Sequence, residues 1–131
     1  MTQEDKRYLQ DKLCHERDKE LLLKDLCARL PYGVKVNEDI QGDFTLIGLT
    51  KERIFTTCEV EGCHNDFPIE LIKPYLFPIS SMTEEQMEEW RGIRWSKLPW
   101  DELNWLNEGH WDYRHLIEKG LAIDATGLNI Y

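Results

Sequence analysis

The sequence has no long apolar run. No stretch approaches the roughly 18 consecutive apolar residues of a membrane-spanning helix, and the segment Met1–Lys6 lacks the apolar core of a signal peptide. These absences predict a soluble protein of the cytoplasm. The chain has 131 residues, of which 41% are hydrophobic, 31% charged and 11% aromatic, a composition that favours one folded domain over a disordered chain.

Basic residues are few outside the N-terminal segment. The chain has 16 Lys and Arg against 25 Asp and Glu, a net charge of −9. Residues 1–30 carry seven bases and seven acids, so residues 31–131 carry nine bases and eighteen acids. Because Lys and Arg bind a phosphate backbone by displacing its counterions, double-stranded nucleic acid is not expected as a partner. An anionic membrane surface is not expected for the same reason.

Cysteine is sparse, and its spacing makes neither a disulfide framework nor a complete metal site. The four cysteines are Cys14, Cys27, Cys58 and Cys63. Cys58 and Cys63 are five positions apart and precede His64, whereas zinc is usually held by closer pairs and needs further ligands. We expect reduced thiols, no metal and no cofactor, with the segment around Cys58 and Cys63 forming a hairpin.

Recognised catalytic motifs are absent as well. The sequence has no G-x-S-x-G, H-E-x-x-H, P-loop or G-x-G-x-x-G pattern. Residues 110–115 nevertheless combine two His with Asp, Tyr and Arg, and on a helix Asp112 would lie one turn from His115. This pair is the basis of an alternative hypothesis, a small hydrolase in which Asp112 orients His115. No nucleophile accompanies the pair, so we predict no catalytic residue and favour a protein without enzymatic activity.

Changes in hydrophobic period predict one α+β domain in three segments. These are an N-terminal helix, a small bent antiparallel sheet that resembles half a barrel, and short C-terminal helices with a cluster of tryptophans. The segments span residues 1–31, 32–79 and 80–131. Leu22, Leu26 and Leu30 recur at one-turn steps in the first segment, which Pro31 and Gly33 end.

The later elements follow from local signals. Short runs rich in β-branched and aromatic residues predict the strands Gly33–Val36, Phe44–Thr50, Arg53–Val60 and Pro68–Ile72. A capping box at Ser81 and Glu84 opens the first C-terminal helix, with a second possible cap at Thr83 and Gln86. Further predicted elements are the helices Trp100–Leu106 and Trp111–Lys119 and a terminal strand or hairpin within 121–131.

A faint repeat marks the first helix. Residues 3–14 and 16–27 share Asp, Lys, two Leu and Cys at an offset of 13 positions. On one straight helix this offset turns Leu9 and Leu13 away from the face of the later leucines. Two alternatives stay open: the helix breaks midway and folds back, or it continues and pairs with a second copy. We expect a homodimer through residues 2–30, because two-fold contacts are the commonest assemblies.

All five tryptophans lie within 22 residues, between Trp90 and Trp111. Their steps of five or six match no helix face, so several elements must each contribute one. They form either a core that packs the helices on the sheet or an aromatic-lined pocket. Nearby bases serve as counter-ions, or stack on a planar anionic ligand such as a nucleotide. The candidate ligand-binding residues are Trp90, Arg91, Arg94, Trp95, Trp111, Tyr113, Arg114 and His115.

Several passages resemble a family of small proteins from phages and prophages of gut Bacteroides. They are LLKDLCARLPYGV at 22–34, IKPYLFPISSMTEE at 72–85, NWLN at 104–107 and DYRHLIEKGLA at 112–122. The likeness covers most of residues 18–125. The resemblance implies a phage accessory protein that acts in the cytoplasm of a bacterial host, and it implies no catalytic or ligand-binding residue.

These observations together predict a binding protein without enzymatic activity. A small acidic phage protein would block a host protein by surface contact, or would sequester a nucleotide signal used in host defence. Blocking needs an exposed apolar patch, whereas sequestration needs a concave site with aromatic and positive lining. The alternatives are the small hydrolase and a structural phage protein.

Overall fold

The computed structural model describes residues 2–57, 65–95 and 99–131, apart from the side chains at 9–15, 65 and 99. Its elements form an α+β fold, as predicted. They are α1 (Gln3–Arg29), β1 (Lys35–Glu38), β2 (Gly42–Leu49), β3 (Arg53–Thr56), β4 (Asn65–Pro68), β5 (Ile72–Pro78), α2 (Glu84–Arg94), α3 (Pro99–Glu108), β6 (Trp111–Asp112) and β7 (Ile123–Asp124). Over the described residues, no helix combines the length and the apolar character needed to cross a membrane.

One continuous helix, α1, occupies the first segment. Its start is a capping box, in which the Thr2 hydroxyl accepts the Asp5 N–H at 3.2 Å and the Asp5 carboxylate accepts the Thr2 N–H at 3.4 Å. A 3₁₀ turn after Arg29 ends at Gly33, whose φ of 68° is left-handed. The helix does not break near His15, so the folded-back arrangement is not the one the chain adopts.

The sheet is mixed and open. Strands β4, β3, β2, β1 and β5 lie side by side in that order and pair antiparallel. The short strands β6 and β7 pair parallel with β5, at Phe77 opposite Trp111 and at Tyr75 opposite Ile123. The five-stranded part is the predicted antiparallel sheet, and it does not close into a barrel. The parallel additions were not predicted, although a terminal strand within 121–131 was.

Strand β5 was also missed. The chain forms a 3₁₀ turn at Ile69–Leu71 where the strand Pro68–Ile72 was predicted, and the strand lies immediately after it. Pro74 lies inside β5 opposite Val36. Proline has no N–H to donate to a ladder. At Pro74 only β1 pairs with β5, since the parallel partners of β5 begin at Tyr75. Strand β5 therefore has one open edge at this residue, where a missing N–H is tolerated.

The helix predicted at Trp111–Lys119 is wrong. After β6 the chain forms turns, since the Asp112 carboxylate accepts the backbone N–H of Leu116 at 2.9 Å and that of Ile117 at 3.0 Å. His115 adopts a left-handed φ of 59° within this loop. Side-chain capture of backbone N–H groups competes directly with helix formation.

Two apolar clusters stabilise the fold. The larger cluster packs α1 on the sheet, and its buried members are Leu22, Leu26, Val34, Val36, Leu46, Ile54, Phe67, Ile69, Ile72, Leu76, Leu116 and Ala122. The smaller cluster joins α2 and α3 to β5 and β6 through Met82, Leu106 and Trp111, with Phe77, Ile79, Met87, Trp90, Trp105 and Tyr113 partly buried against them. Three tryptophans therefore form the predicted cluster. The other two are exposed, Trp95 by 86% and Trp100 by 59%.

Candidate functional site

An open cleft of about 560 Å³ lies where α2 and α3 meet the end of β5. Its aromatic wall contains Trp105 and Trp111, whose rings stack at 15° with centroids 6.2 Å apart, and Phe77, whose ring centroid is 5.7 Å from that of Trp111. Glu89 and Glu108 add two carboxylates, and the lining residues that the structure describes include no Lys, Arg or His. The cleft therefore combines negative charge with an aromatic wall in which Trp111 is buried and Trp105 half-buried.

The polar groups of the cleft differ in how firmly they are held. Glu89 accepts the indole N–H of Trp105 at 3.1 Å, which ties α2 to α3 across the cleft. Glu108 is exposed, and it forms no ion pair with any residue in the described ranges. A cleft of this size suits a small organic ligand, and Glu108 is the carboxylate most available to it.

Gly109 permits the position of the Trp111 indole. A Cβ atom at residue 109 would lie 2.5 Å from Trp111 Nε1 and 2.8 Å from its Cδ1, which is closer than real side chains approach. The Gly109 N–H also donates to the Trp105 carbonyl at 3.1 Å. The chain thus turns tightly from α3 into β6, and a larger residue at 109 would displace the indole from the cleft wall.

A buried ionic cluster holds the backbone of Trp111 from behind. Arg29 is fully buried, and its Nη2 donates to the Trp111 carbonyl at 2.6 Å while its Nε donates to Asp25 at 2.7 Å. Arg114 Nε lies 3.4 Å from the other oxygen of Asp25. The guanidinium groups of Arg29 and Arg114 lie 5.2 and 5.0 Å from the Tyr113 ring centroid. These contacts connect α1 to the cleft wall.

The charges of this cluster belong to the fold. Burial raises the pKa of the Asp25 carboxyl, and the neighbouring charges of Arg29 and Arg114 oppose that shift. Asp25 and Arg29 are both 0% exposed, so no ligand reaches them. Their role is to hold the segment that presents Trp111.

His110 and Tyr131 pack against each other beside strands β1 and β5. Their rings stack with centroids 3.7 Å apart, and burial, followed by the charge of Arg29, lowers the pKa of His110 to about 4. The Tyr131 hydroxyl donates to the Tyr75 carbonyl at 2.7 Å and accepts the Lys35 N–H at 2.9 Å. It bridges β1 and β5 one position beyond the last pair of their ladder, and burial raises its pKa to about 12.

The eight predicted site residues separate into two groups. One group is near the end of α2 and the other follows α3, and their members are Trp90, Arg91, Arg94 and Trp95, then Trp111, Tyr113, Arg114 and His115. In the first group, the Arg94 guanidinium lies 5.0 Å from the Trp90 ring centroid, and Arg91, Arg94 and Trp95 line a second depression of about 330 Å³. In the second group, Trp111 lines the cleft.

The Asp112–His115 pair does not assemble. Both Asp112 oxygens accept backbone N–H groups of the following loop. The His115 side chain is 68% exposed, and its Nδ1 lies 3.9 Å from a carboxylate oxygen of Glu118. The geometry on which the hydrolase hypothesis depends is therefore missing.

The cysteine prediction is tested only in part. Cys58, Cys63 and His64 lie outside the described residues, as does the side chain of Cys14. Cys27 is an exposed free thiol. Across the described ranges, no group of three or more His, Cys, Asp or Glu is arranged to hold a metal ion.

Sequence reasoning missed most of the cleft. Phe77, Glu89, Glu108 and Gly109 were not singled out as site residues. The glycine directly after α3 was the one local signal, since glycine permits close backbone approach. The remaining residues come from α2, α3, β5, β6 and the C-terminal segment, and they meet only through tertiary packing.

Comparisons of the chain with protein-family models, curated proteins and solved structures found no match. The chemistry of the site is therefore interpreted from its own geometry.

Proposed function

We propose that the chain is a binding protein without enzymatic activity, whose cleft takes a planar ligand that carries a positive charge or several N–H donors. The observation that carries this proposal is the pair of stacked indoles, Trp105 and Trp111, beside Glu89 and Glu108. Aromatic faces attract cations, and ionised carboxylates form strong hydrogen bonds with N–H donors. Both features favour the same ligand class. A phosphate group would instead meet two carboxylates.

The resemblance to phage proteins supplies a setting for this binding. In our proposal the protein is a phage accessory protein that acts in the cytoplasm of a bacterial host and removes a small molecule from use. Counter-defence is the role that this setting favours. The binding chemistry and the setting rest on different observations, so each can be tested without the other.

Capture of an anionic planar ligand, such as a nucleotide, is a second candidate function. It depends on the depression at Arg91, Arg94 and Trp95, where an indole 86% exposed lies beside two bases.

Exposed Trp100 and Leu103 on α3 add apolar surface, which favours contact with a host protein at this end of the molecule.

Three matched probes test the cleft. We expect the intrinsic tryptophan fluorescence to report binding of N-methylquinolinium, a planar cation, more tightly than neutral quinoline, and both more tightly than the anion quinaldate. Substitution Glu108→Gln should weaken binding of the cation about three- to tenfold. The control is Glu88→Gln, which removes the same charge from an exposed residue of α2 outside the cleft lining. Equal affinity for all three probes would contradict the proposal.

A titration with cyclic nucleotides tests the second candidate. Binding that Arg91→Gln weakens and Glu108→Gln leaves unchanged would assign function to the end of α2 instead of the cleft. Loss of binding in the Glu108 variant alone would assign it to the cleft.

A further inference from the structure

The three clustered tryptophans differ in what their indole N–H groups bind. Trp90 Nε1 donates to a Glu102 carboxylate oxygen at 3.2 Å, and Trp105 Nε1 donates to Glu89 at 3.1 Å. Trp111 is the most buried of the three, at 6% exposed, yet its Nε1 forms no hydrogen bond with any residue that the structure describes. A buried indole N–H normally has a hydrogen-bond partner, so this donor is available to a ligand.

The open part of Trp111 is its Nε1 edge. Phe77 and Trp105 pack beside its ring. Nε1 itself is not one of the side-chain atoms that the fold buries without a partner, so solvent reaches it. Gly109 leaves this edge uncovered, because a Cβ atom there would lie 2.5 Å from Nε1. Gly109 and Trp111 both line the cleft, and the accessible N–H therefore lies at the cleft wall.

An acceptor of the cleft follows closely along the chain from this donor. The Gly109 Cα lies within about 4 Å of Trp111 Nε1, and the residue before it, Glu108, also lines the cleft. Consecutive Cα atoms are about 3.8 Å apart, so the exposed Glu108 carboxylate can reach a ligand that accepts from Nε1. The cleft thus places one N–H donor near one carboxylate that has no ion pair within the described ranges.

These two groups are complementary to one edge of guanine. An indole can only donate, and an ionised carboxylate can only accept, so the ligand must present an acceptor beside N–H donors. Guanine has the carbonyl oxygen O6 beside N1–H and the 2-amino group, and its two N–H groups match the two oxygens of one carboxylate. Adenine has one amino group and no ring N–H at this edge, so it engages the carboxylate less well.

We propose that the cleft binds guanine, as the base or the nucleoside, with Trp111 Nε1 donating to O6 and Glu108 accepting from N1–H and the 2-amino group. This inference rests on the proposed function and selects, among planar ligands, those with several N–H donors. Trp105, half-buried beside Trp111, supplies aromatic surface for the base. Glu89 and Glu108 repel a phosphate group close to the base, which favours the base or nucleoside over the nucleotide.

Guanosine and inosine test the role of the carboxylate, because inosine lacks only the 2-amino group. In NMR titrations we expect the wild-type protein to bind guanosine about tenfold more tightly than inosine, since inosine loses a hydrogen bond to an ionised carboxylate. Glu108→Gln should remove most of this preference, whereas the control Glu88→Gln should retain it. The same preference in all three proteins would overturn the assignment to Glu108.

The indole N–H resonances test the donor directly. In the free protein, the Trp111 N–H should exchange with solvent faster than those of Trp90 and Trp105, which are hydrogen-bonded. Saturation with guanosine should slow exchange at Trp111 about tenfold and change the other two little. 2-Aminopurine riboside, which lacks O6, should not slow it. If guanosine binds and exchange at Trp111 is unchanged, solvent remains the partner of this N–H and the inference is wrong.

Two further results separate this inference from the proposed function. If N-methylquinolinium binds and Glu108→Gln weakens it, but guanosine does not bind, the cleft takes planar cations and only the guanine assignment falls. If neither probe binds, the proposed function falls as well. Guanosine binding that Arg91→Gln weakens and Glu108→Gln leaves unchanged would place the base at the end of α2 and overturn the inference.

Discussion

Trp111 adjoins two groups of charged residues that differ in burial and in their partners. Behind it lie Asp25 and Arg29, fully buried and bonded to each other and to the backbone. In front of it lie Glu89 and Glu108 on the cleft. Removing one partner of a buried ion pair leaves an uncompensated buried charge, which destabilises the fold strongly. Neutralising a solvent-accessible carboxylate changes the stability of the fold very little. We therefore expect the rear group to control stability and the front group to control binding.

The largest effect is expected behind the indole. Substitution Asp25→Ala leaves Arg29 buried without its carboxylate partner, so the free energy of unfolding should fall by about 3–5 kcal/mol in urea denaturation. Glu20→Ala, on an exposed position of the same helix, is the control and should change it by less than about 0.5 kcal/mol. Similar losses of unfolding free energy in both variants would show that the buried ion pair contributes no more to stability than an exposed residue of α1.

The hydrogen-bonded bridge that Tyr131 makes between β1 and β5 is expected to have the next largest effect on stability. Tyr131→Phe removes the hydroxyl that accepts the Lys35 N–H and donates to the Tyr75 carbonyl, and should lower the free energy of unfolding by about 1–2 kcal/mol. Tyr32→Phe removes a longer bond, 3.3 Å to an Asn104 oxygen, and should have a smaller effect. If Tyr131→Phe has no effect, the hydroxyl does not link β1 to β5.

The stability of the fold should also depend on pH, because the fold changes the pKa of His110. The pKa of His110 is lowered to about 4 in the fold, against an ordinary value of about 6.5, so the unfolded chain binds more protons between these values. The contribution of His110 to stability is therefore present above pH 6.5 and is lost as the pH falls towards 4. Because the ring is only partly buried, we expect about 1 kcal/mol after allowance for solvent screening.

Two matched variants isolate this contribution. His110→Asn keeps a residue that tolerates the left-handed φ of 60° and removes the titrating ring. The unfolding free energy of this variant should depend less steeply on pH between 4 and 6.5. His115→Asn makes the same replacement at an exposed residue with a φ of 59° and measures, at neutral pH, what the exchange of His for Asn at a left-handed position does to stability. Parallel curves for wild type and His110→Asn would contradict the prediction.

The last comparison concerns binding at the front, where the expected change in affinity is modest. Gly109→Ala places a Cβ against the Trp111 indole, which must move, so affinity for N-methylquinolinium should fall about threefold to tenfold. Gly92→Ala adds a methyl group where no atom lies within 4 Å and serves as the control. Unchanged affinity in both variants would remove Trp111 from the binding surface.

The predicted site is divided between two places in the fold, for a reason that the two groups illustrate. Its eight residues were chosen because aromatic and basic side chains are close in sequence, but α2 and the β6 loop direct them to different places. Arg114 lies beside the buried Asp25, whereas Trp95 is almost fully exposed. Composition indicated a region rich in binding chemistry. It did not indicate which side chains share a cavity.

The sequence by itself determined the elements that depend on near neighbours. The leucine spacing predicted the helix that became α1, and Gly33 marked its end. Of the two possible capping boxes, the second, at Thr83 and Gln86, is the one that starts α2. These signals work because their interactions span about four residues along the chain. The α+β class followed from the change of period between segments.

Only the tertiary structure decided the parallel strands and the cleft. Strands β6 and β7 are two residues each, too short to exist without β5 as a partner. Glu89 and Trp105 are 16 positions apart and meet because α2 packs against α3. A helix would have placed the Asp112 side chain beside His115. In the structure, the Asp112 carboxylate instead accepts the backbone N–H groups of Leu116 and Ile117 in the loop that follows β6. Interactions between distant segments outweighed local preference at each of these points, because burial and backbone hydrogen bonds are satisfied only when those segments come together.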